Sequence, residues 1–350
     1  MSSALAAAHA ARTDGMTRLH LSENVHGASP AAIRAASAAL ASVSVYPDPA
    51  RAGVAEAVAA HHRLAPAQVA VANGSDELVL LTSLALGDPA KPGLTTAGTF
   101  PGYETCLTTG GRGCTALPLS GGRLDVERFA AELPRHGIGY VCNPHNPSGA
   151  VLDRDELAHL VRAAGSSGVP LVFDEAYLEF ADPDTPQVRD HLDGDAPVVA
   201  LRTLSKAYGL AALRIGYAIG AAGQLAALRA AQGTMPFSAN TIAQAAAIAA
   251  LADQDHLEDV RKSNVDRREW FYAQLAARGR GFLPSVTNFV AVAVTDSRTA
   301  QDRLAAEHRI LVRDAGLFGF PGHLRVSLGH QDDLLRLLDA LDEIAPVEGK

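Results

Sequence analysis

The chain has 350 residues, enough for two domains that each bury a core of their own. Hydrophobic residues make up 48% and charged residues 19%, the balance of a globular protein and not of a disordered one. The net charge of -8 argues against a nucleic-acid partner, although it leaves room for local basic pockets that hold small anions.

The N-terminal stretch Ser2 to Ala11 is alanine-rich but has no basic residues before it, so it reads as a frayed arm or short helix and not as a secretory signal. Alanine-rich helical stretches recur at 31–41 and 243–251. Between about residues 69 and 220, short β-rich runs alternate with helical patterns. Strands are expected at 69–72, 138–141, 171–173, 198–201 and 215–219, with a helix at 153–164. This alternation predicts a mostly parallel sheet covered by helices on both faces, an α/β architecture. From about residue 238 the pattern changes. Helical periodicity runs through 238–251 and 256–277, followed by a strand (288–294), a helix (298–307), a strand (324–328) and a closing helix (331–344). We therefore expect an N-terminal arm and segment over 1–40 that joins a small domain, a large domain over 41–237, and a small α+β domain over 238–350.

No apolar run approaches a membrane span. The three cysteines (Cys106, Cys114, Cys142) have neither metal-ligand spacing nor the count of a disulfide framework, so a reducing cytoplasm is expected. His61 and His62 are adjacent on an expected helix and point in different directions, which makes them a poor ligand pair, and no metal is expected.

Several candidate residues fall just after expected strands, where open α/β sheets bind ligands. Lys206 follows Ser205 and Thr203, with Arg214 eight positions on. A lysine in a partly desolvated, cationic setting loses its proton readily and can serve as nucleophile and base. The hydroxyls and the guanidinium suit a phosphate, so the segment has what a pyridoxal phosphate site needs. Gly74-Ser75-Asp76-Glu77 opens a helix whose free N–H groups could also take a phosphate, or it is an ordinary helix start. Phe100 could stack on a planar ring or sit in the core. In Asn143-Pro144-His145-Asn146-Pro147-Ser148-Gly149 the prolines and glycine fix a loop from which Asn146 can donate to a phenolate-like oxygen. Asp174 ends an apolar run, where a carboxylate is costly unless paired, and a protonated pyridine nitrogen would be such a partner. A helix-capping role is the alternative. Tyr177 lies three residues on. Arg325 interrupts the apolar run 324–328 and either faces a pocket, where its fork suits a carboxylate, or faces solvent from an edge strand.

In this order the motifs resemble fold-type I, pyridoxal phosphate-dependent aminotransferases, and among them the histidinol-phosphate aminotransferases and the related aromatic amino acid aminotransferases. The resemblance spans about residues 19 to 345. It includes Glu23-Asn24-Val25-His26-Gly27-Ala28-Ser29-Pro30 and Tyr46-Pro47-Asp48. It implies a large domain with a mostly parallel seven-stranded sheet between helices, a smaller α+β domain, and a homodimer with shared active sites. It also implies roles for single residues. Lys206 attaches the cofactor and moves the proton, Asp174 pairs with the pyridine nitrogen, and Asn146 and Tyr177 hold the ring's 3-oxygen. Phe100 stacks on the ring. Ser75, Asp76, Thr203, Ser205 and Arg214 surround the phosphate, and Tyr46 reaches the phosphate of the neighbouring subunit. Arg325 takes the substrate carboxylate, and Arg313 lies near a distal anionic group.

Transamination between an amino donor (histidinol phosphate or an aromatic or related amino acid) and a 2-oxo acid such as 2-oxoglutarate is the activity implied. A specialised enzyme for a non-proteinogenic amino acid, and a decarboxylase of the threonine-phosphate type, would keep the same cofactor residues. His26 stands where the group usually has an aromatic ring, and Val25 where it has proline. The N-terminal segment lines the substrate side in this family, so His26 is either a reader of the substrate or a neutral loop substitution.

Overall fold

The computed structural model describes residues 15–347, and the arm over 2–11 lies outside them. The chain enters through a two-residue strand, β1 (Thr17–Arg18), and then builds a seven-stranded sheet. Its strands are β2 (Val69–Ala72), β3 (Gly93–Thr96), β4 (Cys114–Leu117), β5 (Ile138–Cys142), β6 (Leu171–Asp174), β7 (Val198–Thr203) and β8 (Gly216–Gly220). Their spatial order is β2-β8-β7-β6-β5-β3-β4. All neighbours are parallel except where β8 meets β7 and β2. The expected seven-stranded, mostly parallel α/β sheet is therefore present.

Burial on both faces explains why these strands read as unbroken apolar runs rather than alternating ones. Leu171 and Phe173 of β6 point into one core with Val54, Val58 and Leu160, while Val172 points into the other with Leu78, Leu81 and Tyr103. Each fully buried leucine or phenylalanine contributes roughly 1.5–3 kcal/mol to holding helices on the sheet. The helix Arg154–Ser167 starts on Asp153. Its carboxylate accepts from Glu156 N at 2.8 Å, while Glu156 accepts from Asp153 N at 2.8 Å. The helix stops at Gly168, whose φ of 68° is the left-handed value a glycine tolerates.

A second, antiparallel sheet is made of β9 (Phe282–Leu283), β10 (Phe289–Ala293), β12 (Arg313–Asp314) and β13 (His323–Ser327), while β11 (Ile310–Leu311) pairs in parallel with β1. The helices Ser297–His308 and Gln331–Ile344 pack on this second sheet. Leu19 is part of the same core, next to the pairing of Thr17–Arg18 with Ile310–Leu311.

The helix Thr241–Ala252, expected in the small domain, buries Ala243, Ala246, Ala247 and Ala250 in the core of the large sheet, as does Ala32 of the helix Pro30–Ala39. The two helices pack on each other through small side chains that allow close approach. The packing boundary falls inside the long helix Gln254–Ala277 and not at residue 238: Leu257 and Val260 belong to the large core, Phe271 and Leu275 to the small one. Among the described residues, no helix is long and apolar enough to cross a membrane.

Candidate active site

The carboxyl ends of β5, β6 and β7 lie side by side in register, with Cys142 opposite Asp174 and Asp174 opposite Leu201. The loops that follow open into a cavity of about 220 Å³ between the two cores. Every candidate residue except Tyr46 and His26 lines it: Ser75, Asp76 and Phe100; Asn146, Asp174 and Tyr177; Thr203, Ser205, Lys206 and Arg214; and, from the small sheet, Arg313 and Arg325.

Lys206 Nζ donates to the carbonyls of Leu21 at 2.9 Å and Ser22 at 3.3 Å. The N-terminal segment is held there because Ser22 N donates to Ser327 Oγ at 2.8 Å and Asn24 donates to the Ala207 carbonyl at 2.8 Å. Burial first, and then the Arg325 guanidinium, lowers the amine's pKa to about 8. Asp174 accepts from Tyr103 Oη at 2.7 Å and from Ala176 N at 3.2 Å. Burial nevertheless pushes its carboxyl up to about 6, because no cation pairs with it among the described residues.

The anion cradle is made by chain ends from three elements. The helix Ser75–Ala85 presents the free N–H groups of its first turn. Arg214 Nη1 donates to Ser205 Oγ at 3.1 Å, and Nη2 reaches Asp76 at 3.0 Å. A Cβ at Gly74 would stand 2.5 Å from Arg214 Nη2, so glycine is needed where the guanidinium crosses the helix start.

At the opposite end, Arg325 Nη1 donates to Asn146 Oδ1 at 2.6 Å and Nη2 to the His20 carbonyl at 2.7 Å. Its buried Nε has no partner. Arg313 is the residue opposite Arg325 in the β12–β13 pairing, and both guanidinium groups lie over the Phe318 ring, at 5.2 and 5.9 Å. Burial lowers the pKa of both arginines. Tyr177 packs edge-on against Phe289 at 5.0 Å, and burial raises its phenol to about 12. Phe100 stands edge-on to Tyr103 at 5.4 Å.

Tyr46 is elsewhere. It is 77% exposed and stacked on Phe237 at 4.4 Å, amid exposed Leu40, Val43 and Val45. His26 does not line the cavity either. It is exposed, meets His256 edge-on at 5.3 Å, and borders a separate polar groove with Asp266 and His330. Sequence reasoning missed His20, Tyr103 and Phe318. Only Phe318 carried a signal, an aromatic residue inside Gly316-Leu317-Phe318-Gly319.

These residues fit pyridoxal phosphate. The buried carboxylate lacks a cation that a protonated ring nitrogen would supply, the amine loses its proton more readily than an ordinary lysine, and the helix start with Arg214 forms a seat for a phosphate. Fold and site together define a pyridoxal phosphate-dependent enzyme of fold type I.

The family described as aminotransferase class I and II matches residues 15–341, and the chain belongs to it. It is 31% identical over 333 residues to histidinol-phosphate aminotransferase 2 of Carboxydothermus hydrogenoformans, covering 94% of this chain and 91% of the relative. It is 37% identical over 324 residues to the histidinol-phosphate aminotransferase of Hyphomonas neptunium, covering 91% and 88%. The crystal structure of histidinol-phosphate aminotransferase from Sinorhizobium meliloti in complex with pyridoxal 5'-phosphate superposes with a TM-score of 0.85 at 31% identity, over 98% of this chain and 93% of that one. Aspartate aminotransferase from Thermus thermophilus with maleate, at 23% identity, shares the fold with a TM-score of 0.86 over 98% and 95% of the two chains. The chain is a pyridoxal phosphate-dependent aminotransferase acting on small molecules.

Proposed function

We propose that this aminotransferase takes its amino group from a donor with an oxyanion remote from the amine, of the histidinol-phosphate kind, and passes it to a 2-oxo acid such as 2-oxoglutarate. The observation that carries this reading is the pair Arg313 and Arg325, which line one cavity with Lys206. A buried and a half-buried guanidinium on neighbouring strands are costly without an anion, and the phosphate dianion of histidinol phosphate, or the two carboxylates of a dicarboxylic 2-oxo acid, would neutralise them.

The other roles follow from position. Pyridoxal phosphate, when bound, supplies the aldehyde that takes up the amino group and a ring that spreads the charge left at the substrate Cα. Asp174 holds a proton on the ring nitrogen. Asn146 and Tyr177 would hold the ring's 3-oxygen, and Phe100 would pack on its face. Ser75, Asp76, Thr203, Ser205 and Arg214 seat the phosphate. Lys206 Nζ would hold the cofactor and, when free, would serve as the base for the Cα proton. Arg325 would orient the α-carboxylate of an amino acid or 2-oxo acid, and Arg313 a distal oxyanion, which in histidinol phosphate is the phosphate.

Tyr46 serves a second copy of the chain in a homodimer. The exposed apolar face around it (Leu40, Val43, Val45 and Phe237) supports this reading. A cytoplasmic location accords with three free thiols.

Half-reactions without an acceptor test the proposal, with histidinol phosphate, phenylalanine, tyrosine, histidine and glutamate compared side by side. Fast loss of the cofactor's aldehyde absorbance with histidinol phosphate and little with phenylalanine supports it. A preference for an aromatic amino acid overturns the distal-oxyanion reading, and release of CO2 would indicate a decarboxylase.

A further inference from the structure

His20 has no role in the reading above, yet it lines the same cavity and is 3% exposed. Both of its ring nitrogens are buried and neither has a hydrogen-bond partner. An imidazole always has a donor or an acceptor at each nitrogen, and leaving both unused inside a protein costs free energy that a ligand can recover.

The strand pattern explains how the ring gets there. Along the extended chain Leu19 points into the small core, so Arg18 and His20 share the opposite face. The His20 carbonyl is fixed by Arg325 Nη2 at 2.7 Å. The ring therefore sits where the fields of Arg18, Arg313 and Arg325 overlap, with Glu23 the acidic group that opposes them most strongly. Glu23 is already paired with Arg18 at 2.5 Å. What remains is a positive corner holding a hydrogen-bonding ring with nothing to bond.

We propose that His20 is a specificity-determining residue, donating a ring N–H to the oxyanion at the distal end of the amino substrate, beside Arg313. The inference rests on the distal-oxyanion reading of the site. The ligand chemistry is an oxyanion, either a phosphate monoester or a carboxylate. Arg313 attracts any anion, whereas a fixed N–H at its side selects for the position of one oxygen. Burial, and then Arg18, hold the ring's pKa down at about 4, so at neutral pH it carries one N–H and adds no third positive charge to the pair.

The test uses the cofactor-loaded enzyme and two variants. His20→Phe keeps a ring of similar size and removes both nitrogens, and His20→Asn restores a donor and an acceptor. Donors are histidinol phosphate, glutamate and norvaline, the last lacking a distal oxyanion. We expect His20→Phe to raise KM about tenfold or more for at least one oxyanion donor, the size of effect seen on losing a hydrogen bond to a charged group. Both kcat and the KM for norvaline should stay within about twofold, and His20→Asn should recover part of the loss. A change with histidinol phosphate alone assigns a phosphate, and with glutamate alone a carboxylate. Equal changes for all three donors, or no change for any, overturn the proposal. Calorimetric binding of inorganic phosphate and glutarate to the same proteins needs no turnover. Weaker binding of at least one of the two by His20→Phe supports the role even if none of these donors is a substrate, and unchanged binding of both refutes it.

Discussion

Arg313 and Arg325 are directly opposed residues on the antiparallel strands β12 and β13, so two guanidinium groups stand side by side at one end of the cavity. Like charges facing each other across a ladder repel, and the arrangement is stabilised when an anion lies between them. In the cofactor-loaded enzyme, inorganic phosphate at about ten times its Kd should add roughly 1.4 kcal/mol of stability. Arg313→Leu should abolish that gain and raise KM for oxyanion donors on the order of tenfold to a hundredfold. A thermal melt with and without phosphate checks this, and a variant that keeps the full shift would sink the assignment.

Lys206→Ala should abolish turnover. In the unaltered chain, cofactor capture requires the neutral amine, whose pKa is lowered to about 8. The neutral fraction grows with pH, so the rate at which cofactor-free protein takes up pyridoxal phosphate should climb through pH 8 and level off above it. Arg325→Leu, which removes a positive neighbour, should move the midpoint upward. Stopped-flow absorbance between pH 6 and 10 would show either this rise or a flat profile that contradicts it.

Asp174 has opposite effects on stability and function. Its carboxyl is raised from 3.8 to about 6, so the folded state binds this proton more tightly than the unfolded chain. The sign follows: cofactor-free protein should gain stability as pH falls from about 6 to about 4, and should carry a penalty of roughly 3 kcal/mol above that range. Asp174→Asn should remove the penalty at pH 7, while turnover of the loaded enzyme drops on the order of a hundredfold or more. Urea unfolding at pH 5 and pH 7 of both proteins gives the answer, and an unchanged slope with pH would show that the carboxyl is not held as described.

Next to the cavity lies a buried ion network. Arg202 donates to Glu175 at 2.7 Å, to Glu179 at 2.9 Å and to Gln187 at 2.8 Å. Glu175 follows Asp174 and Arg202 precedes Thr203, so the network fixes two strand ends that face the cavity. Arg202→Met would leave two buried carboxylates without their cation and should cost roughly 3–5 kcal/mol. Adding Glu175→Gln and Glu179→Gln should restore most of it. If the triple variant unfolds at the same urea concentration as the single one, the loss arises elsewhere.

Much of this was legible in the chain because each strand end is followed by residues with one physical meaning. The Pro/Asn/Gly loop at 143–149, the carboxylate closing an apolar run at Asp174, and a lysine after two hydroxyl residues each state local chemistry. His20 and Tyr103 could not be read that way. Neither belongs to a motif: His20 reaches the cavity, and Tyr103 reaches Asp174 beneath it, only because the fold brings distant segments together. His20 arrives through β1 pairing with β11, and Tyr103 through a helix packed on β3 and β4, from which its side chain reaches Tyr140 and Asp174. The side on which the helix after residue 238 packs is hidden for a related reason. An alanine-rich helix such as Thr241–Ala252 is apolar nearly all round, so its pattern does not reveal which core it faces. The separation of His26 from the cavity likewise depends on the turn at Glu23–Gly27, where Gly27 N donates to the Asn24 carbonyl at 3.1 Å.

The helix Gln254–Ala277 has 24 residues and is anchored in one core near its start and in the other near its end. At about 1.5 Å per residue it is a rod some 36 Å long with no flexible joint in it. Mechanically, the walls of the cavity are mounted on a common axle. Lys206 and Asp174 are fixed to one bearing and Arg313 and Arg325 to the other, so the helix joins the two walls of the cavity in one rigid piece.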